Sequence, residues 1–207
     1  MLVLFDLDGT LVDSLEGWLN AYRKALHPRD LADKKIIESI FYHHSKEMYA
    51  KYGISDAEAF YKAVQTHLAE EPSMWIAMEH VDETLHELHR RGHTLGILTS
   101  RQKIYARSLC PESILGQMSV FLDRHDAKPK PAPDGIYEAC RLTGLPLNQT
   151  VFVGDHETDF QCAEAAGVPF LWFKPANDKF WRHQRFGDGA KSFSNFKELP
   201  AIIEKLQ

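Results

Sequence analysis

The sequence predicts a doubly wound α/β fold: a parallel sheet covered by helices on both faces, with a helical block inserted after its first strand. Two observations carry this. From about residue 80 onward, apolar strand-like runs alternate with helical periodicity, and such alternation implies right-handed crossovers and parallel strands. Between residues 14 and 79 the apolar spacing is helical throughout, with no convincing strand. The core is therefore expected to comprise residues 1–13 and 80–207, and the all-helical insert residues 14–79.

Each element follows from local pattern. Leu2 to Phe5 is a short apolar run that reads as a buried strand. Leu15, Trp18, Leu19, Tyr22 and Leu26 recur at steps of three and four, one face of a helix that His27-Pro28 breaks. A second helical stretch runs through Ile36, Ile37, Ile40, Met48 and Tyr52 to Gly53. Ser55 to Glu58 has the S-x-x-E form of a capping box and opens a third helix that Pro72 ends. Beyond it, helices are expected over 81–91, 104–109, 133–143, 156–166 and 195–206. Strands are expected over 93–99, 120–122, 150–154 and 168–173.

Composition narrows the class of protein. Of the 207 residues, 44% are hydrophobic and 26% charged, enough for a sizeable core and unlike a disordered chain. A net charge of −5 argues against a nucleic-acid partner, which usually selects a basic balance. No stretch approaches eighteen apolar residues, so no membrane span is expected, and the N-terminus lacks the pattern of a signal peptide. Cys110, Cys140 and Cys162 are widely spaced and odd in number, which predicts reduced thiols and a cytoplasmic setting. Asn148-Gln149-Thr150 then matches a glycosylation acceptor only by chance.

The chemistry lies just past the strand ends. Asp6 and Asp8 follow the first strand, Thr99 and Ser100 the second, and Asp155 the strand at 150, with Asp159 four residues on. A parallel sheet gathers such ends at its carboxyl edge, where ligands of open α/β sheets bind. Asp8-Gly9 alone would also pass as ordinary turn punctuation. Lys128 stands in a proline-stiffened run, Lys128-Pro129-Lys130-Pro131-Ala132-Pro133, and Lys130 is its alternative two residues on. Clustered carboxylates repel one another unless a cation compensates them, and an all-oxygen set suits Mg²⁺. Zinc would want thiolate or imidazole, and only His156 is near. A lysine and a hydroxyl at such a site suit phosphoryl oxygens.

Together these segments resemble the four motifs of the haloacid dehalogenase-like (HAD) hydrolases. Asp6-Leu7-Asp8-Gly9-Thr10 resembles the first motif, Thr99 the second, Lys128 with its prolines the third, and Gly154-Asp155-His156-Glu157-Thr158-Asp159 the fourth. The helical insert is similar to the small cap of the phosphoglycolate phosphatase-like branch, and Gly189 to Phe193 with the helix after it resembles the family's closing segment. The resemblance implies a Rossmann-like core, a cap, Mg²⁺ and a phosphatase acting on a small phosphorylated metabolite. It implies Asp6 as nucleophile and Asp8 as acid and base. Thr99, Ser100 and Lys128 become phosphate holders. Asp6, Asp155 and the Asp8 backbone carbonyl become metal ligands, with Asp159 in support.

Asp8 itself favours phosphoester over carbon–halogen chemistry, because the dehalogenases lack a second acid there. The motif reads Thr99-Ser100-Arg101 where many relatives carry asparagine after the hydroxyl residue, and Arg101 is either a contact for an anionic substrate tail or a surface arginine. His43 and His44, and Trp18 and Trp75, are weaker candidates for substrate contact; packing is the plainer role. Trp172 to Trp181 is too short to indicate nucleic-acid binding. A phosphomutase and a non-catalytic binding protein are the rival readings, and the sequence carries no signal for oligomeric state.

Overall fold

A computed structural model describes residues 1–26, 46–71, 74–175 and 190–206. The chain forms two compact units, one of Met1–Asp13 with Ile76–Gln207 and one of Ser14–Trp75. The division at Trp75 falls four residues before the expected boundary at 79. The reason is a pair of two-residue strands, too short for alternation to show in the sequence. Strand β1 (Leu2–Phe5) is followed by β2 (Val12–Asp13), which pairs antiparallel with β3 (Ile76–Ala77) and draws those residues to the first unit.

The helical unit contains α1 (Leu15–Leu26), α2 (Lys46–Lys51) and α3 (Ala57–Glu70) among the described residues. In α1, Leu19, Tyr22 and Leu26 are buried, and in α3 Phe60, Val64 and Leu68, each set one helical stripe. Tyr22 meets Phe60 edge-on with ring centroids 5.8 Å apart. Trp75 is buried beside Gly17 rather than displayed. The cap of α3 is Asp56, whose carboxylate accepts from the Ala59 N–H at 2.9 Å. The cap thus lies one residue after Ser55, and the expected reciprocal box does not form, because Ala59 stands where its returning acceptor would have to be. His43, His44 and the stretch through Ile40 lie outside the described residues.

In the first unit the chain continues through α4 (Val81–Arg90), β4 (Thr94–Leu98), α5 (Lys103–Leu109), α6 (Glu112–Leu115) and β5 (Val120–Leu122). It then forms α7 (Asp134–Thr143), β6 (Thr150–Gly154), α8 (Glu157–Ala166), β7 (Phe170–Phe173), β8 (Lys191–Phe193) and α9 (Leu199–Glu204). The six-stranded sheet runs β5-β4-β1-β6-β7-β8, and every pairing in it is parallel. Strand β1 lies at its centre. Leu2, Leu4 and Phe152 pack with Ile136 of α7 and Cys162 and Ala163 of α8. Fully burying an aliphatic or aromatic side chain of this kind stabilises a fold by about 1.5–3 kcal/mol.

The end of the chain departs from the expected single helix. A 3-10 turn at Phe196–Glu198, capped reciprocally by Asn195 and Glu198, precedes a short α9 with Pro200 in its first turn. Strand β8 extends the sheet, and Phe173, Phe193 and Phe196 close that edge with ring centroids 4.6 to 5.6 Å apart. No helix among the described residues is long and apolar enough to cross a membrane, and the three cysteines are free.

Candidate active site

Register brings the site together. Phe5 is level with Ile97 of β4 on one side and Val153 of β6 on the other. The residues just beyond these three therefore emerge side by side at the carboxyl edge of the central strands. Asp6 still belongs to the ladder through its N–H, which donates to the Val153 carbonyl at 2.9 Å. Thr99 is held likewise, its N–H donating to the Leu122 carbonyl at 3.0 Å. Both residues are buried, whereas Ser100 is exposed.

Two glycines let the carboxylates approach. Gly9 has φ +83°, a conformation that most side chains avoid, and a Cβ there would sit 2.5 Å from Oδ2 of Asp155. At Gly154 a Cβ would come within 2.5 Å of Oδ2 of Asp159. The Thr10 hydroxyl donates to Oδ1 of Asp155 at 2.8 Å. Asp159 stands in the first turn of α8, where its Oδ2 accepts from the His156 N–H at 3.0 Å and completes a capping box.

Lys130, not Lys128, enters this cluster. Its Nζ lies 2.5 Å from Oδ1 of Asp6 and 2.6 Å from Oδ1 of Asp159, and its side chain is 5% exposed. Lys128 is 78% exposed and, among the described residues, pairs with Asp134 at 3.5 Å rather than with the acidic cluster. The cause is the turn closed by the Ala132 N–H on the Pro129 carbonyl, which presents Lys130 at its corner. Both lysines sit in identical Lys-Pro settings, so the sequence offered no local sign of which one turns inward.

Asp8 leaves the acidic cluster for a partner of its own. Arg101 is buried and donates from Nε to Oδ2 at 3.0 Å and from a terminal nitrogen to Oδ1 at 2.8 Å. Arg101 is thus neither a surface arginine nor, in this arrangement, turned toward a substrate tail. Its N–H also donates to the Thr99 hydroxyl at 3.1 Å.

The electrostatics reflect burial. Burial pushes the Asp6 carboxyl up to about 7, with Lys130 pulling it down and the Asp159 and Asp8 charges adding to the rise. Asp155 is raised well above the usual carboxylate range by burial and by Asp6 and Asp159. Burial opposes the charge on Lys130, but Asp159 and Asp6 outweigh it and hold the ammonium protonated.

Asp6, Asp155 and Asp159 each offer an oxygen within 4.8 Å of the others, a set that fits a cation. The fit rests on Oδ2 of Asp155, which is buried with no hydrogen-bond partner, an arrangement that costs stability unless something fills it. The donors are all oxygen, as a hard cation prefers. Asp159 already has both oxygens engaged by Lys130 and the His156 N–H, which leaves Asp6 and Asp155 as the open ligands. The carboxylate of Asp8 is not among them.

In an open parallel α/β sheet, ligands bind at the carboxyl edge, and here that edge carries buried carboxylates and a captive lysine. Residues 3–173 match the haloacid dehalogenase-like hydrolase family, and the chain belongs to it. A phosphoglycolate phosphatase of Pseudomonas savastanoi pv. phaseolicola is 28% identical over 181 residues, covering 81% of this chain and 66% of that protein. The chain thus spans just under two thirds of that relative's length. A phosphoglycolate phosphatase of Rhodospirillum rubrum is 32% identical over 186 residues, covering 82% of this chain and 77% of that protein. In fold, the chain is similar to CbbY of Rhodobacter sphaeroides, crystallised with phosphate, with a TM-score of 0.79, 19% identity and coverage of 96% and 95% of the two chains.

Proposed function

We propose that this protein is a Mg²⁺-dependent phosphatase that hydrolyses a small phosphorylated metabolite through an aspartyl-phosphate formed on Asp6. The observation that carries the reading is the buried Lys130 ammonium between Asp6 and Asp159, beside the unpartnered oxygen of Asp155. A fixed positive charge at the nucleophile stabilises phosphoryl oxygens as charge develops on them. The phosphoglycolate phosphatases among its relatives support a small phosphate ester as the substrate class.

In the first step an Asp6 oxygen bonds to phosphorus, the bond to the leaving oxygen breaks, and Asp8 gives that oxygen a proton. In the second, Asp8 takes a proton from water. The water oxygen bonds to phosphorus, and the bond to Asp6 breaks to release inorganic phosphate. Thr99 and Lys130 hold the phosphoryl oxygens, with Ser100 exposed nearby in sequence. Asp6, Asp155 and the backbone carbonyl of Asp8 hold Mg²⁺, with Asp159 fixing Lys130 behind them. Bound Mg²⁺ supplies neutralisation of phosphoryl charge. The helical unit Ser14–Trp75 serves as the cap and reads the leaving group. Free thiols and a net charge of −5 support a cytoplasmic setting without nucleic-acid or membrane partners.

The test is phosphate release from a panel of phosphorylated metabolites, with Mg²⁺ or with chelator, by the wild type and by Asp6→Asn. Release that needs both Mg²⁺ and Asp6 is expected. A folded wild type that releases phosphate from none of them refutes the proposal, and isomerisation without release would make the protein a phosphomutase.

A further inference from the structure

The Asp8–Arg101 pair is the feature that the reaction steps above leave without a purpose. A guanidinium has donors only, in a rigid planar fork, so a two-point contact fixes both the position and the plane of a carboxylate. Nε and a terminal nitrogen of Arg101 meet the two oxygens of Asp8 at 3.0 and 2.8 Å. The arginine side chain is 2% exposed and that of Asp8 24%. Asp8 thus faces water on one side and is gripped on the other. Arg101 is itself anchored, since its N–H donates to the Thr99 hydroxyl and Thr99 is bonded into the sheet through the Leu122 carbonyl.

The charges explain why a grip is needed. Asp6 and Asp159 share the buried ammonium of Lys130, and Asp155 stands beside them. A fourth carboxylate two residues from Asp6 is repelled by that cluster, and no backbone ladder holds its side chain. The geometry points to Arg101 as a positioning residue that sets the orientation of Asp8 for proton transfer. It does so through a fork rather than through charge alone. This rests on the phosphatase reading, because it assigns Asp8 the proton transfers of that reaction.

Two probes separate the half-reactions. With 4-nitrophenyl phosphate the leaving group departs without a proton, so only the second step needs a well-placed Asp8. With 2-phosphoglycolate both steps need it. Arg101→Met should therefore give a burst of 4-nitrophenol followed by slow turnover. With 2-phosphoglycolate it should show no burst and a loss of about a hundredfold in kcat, the scale of a misplaced catalytic group. Arg101→Lys keeps the charge without the fork and should recover only a small part of the rate. In an Asp8→Asn background, Arg101→Met should cost almost nothing further, since the group it places is already gone.

Met at this position leaves Asp8 solvent-accessible, so no charge is stranded in the interior, and thermal melts of each variant check folding. The inference is overturned if Arg101→Met raises KM with kcat intact, which would make the arginine a substrate contact. It is also overturned by full rescue in Arg101→Lys, or by a loss of equal size with and without Asp8. Failure of the parent reading is visible separately, as absence of Asp6-dependent phosphate release by the wild type.

Discussion

Replacing Asp155 by asparagine should stabilise the protein without metal and abolish its response to metal. In the wild type, Oδ1 of Asp155 accepts from Thr10 at 2.8 Å while Oδ2 is buried with no partner. Asp6 and Asp159 each offer an oxygen within 4.8 Å of an oxygen of Asp155. An unsatisfied buried polar atom costs about 1–3 kcal/mol, and like charges add to it. Asparagine keeps the acceptor for Thr10, removes the charge and turns an amide donor toward the neighbouring carboxylates. A gain of about 2 kcal/mol follows from relieving that penalty. For a chain of this length it raises Tm by about 4–8 °C. Wild type in a hundredfold excess of Mg²⁺ over Kd should gain about 2.7 kcal/mol by mass action, and the variant nothing. Thermal melts with chelator and with Mg²⁺ read both effects. A variant that melts below the wild type in chelator, or that keeps the Mg²⁺ shift, refutes the assignment of Oδ2 as a cation ligand.

Lys130→Met should abolish phosphate release and, by stranding Asp6 and Asp159, cost about 3–5 kcal/mol in a denaturant titration. Lys128→Met should retain activity and stay within about 0.5 kcal/mol of wild type, since its partner is a surface contact. Because the folded-state pKa of Asp6 stands at about 7 against 3.8 ordinarily, its carboxylate favours folding most at low pH and loses that contribution as pH rises toward 7. In chelator, the Tm advantage of Asp6→Asn over wild type should therefore grow between pH 4 and pH 7; a constant difference would contradict the shift. Gly9→Ala should lose Mg²⁺-dependent activity, as its methyl group meets Asp155 at a backbone angle that alanine resists. Activity near wild type would show that the close approach of the two segments is dispensable.

How much of this was legible depended on whether a residue is carried by the sheet. Asp6, Thr99 and Asp155 each follow an apolar run, and once strands are parallel and level their ends must meet. Four-residue spacing likewise put Asp159 on the same side of the helix start as Asp155. Side-chain direction in a loop has no such period. Lys128 and Lys130 differ only in which way a proline-bounded turn faces, and Arg101 gave no local sign that it would fold inward to Asp8. The strands β2, β3 and β8 have two or three residues each, too few for alternation to register. The cap at Asp56 rather than Ser55 is a choice between two good capping residues that only helix geometry makes.

The ladder bond from Asp6 to Val153 also sets how this protein can change over evolutionary time. A residue gained or lost within the strand ahead of Asp6 would slip its register and exchange the side chains packed on its two buried faces, disturbing the core along with the placement of Asp6. The lysine hangs from a surface turn, where chain can be inserted or removed at little cost to the rest. The Asp6 carboxyl and the ammonium beside it therefore live under different rules. Asp6 is frozen into the architecture, whereas the ammonium beside it hangs from a loop, so new variants of this chain have more freedom in how they place that positive charge than in how they place the carboxylate it meets.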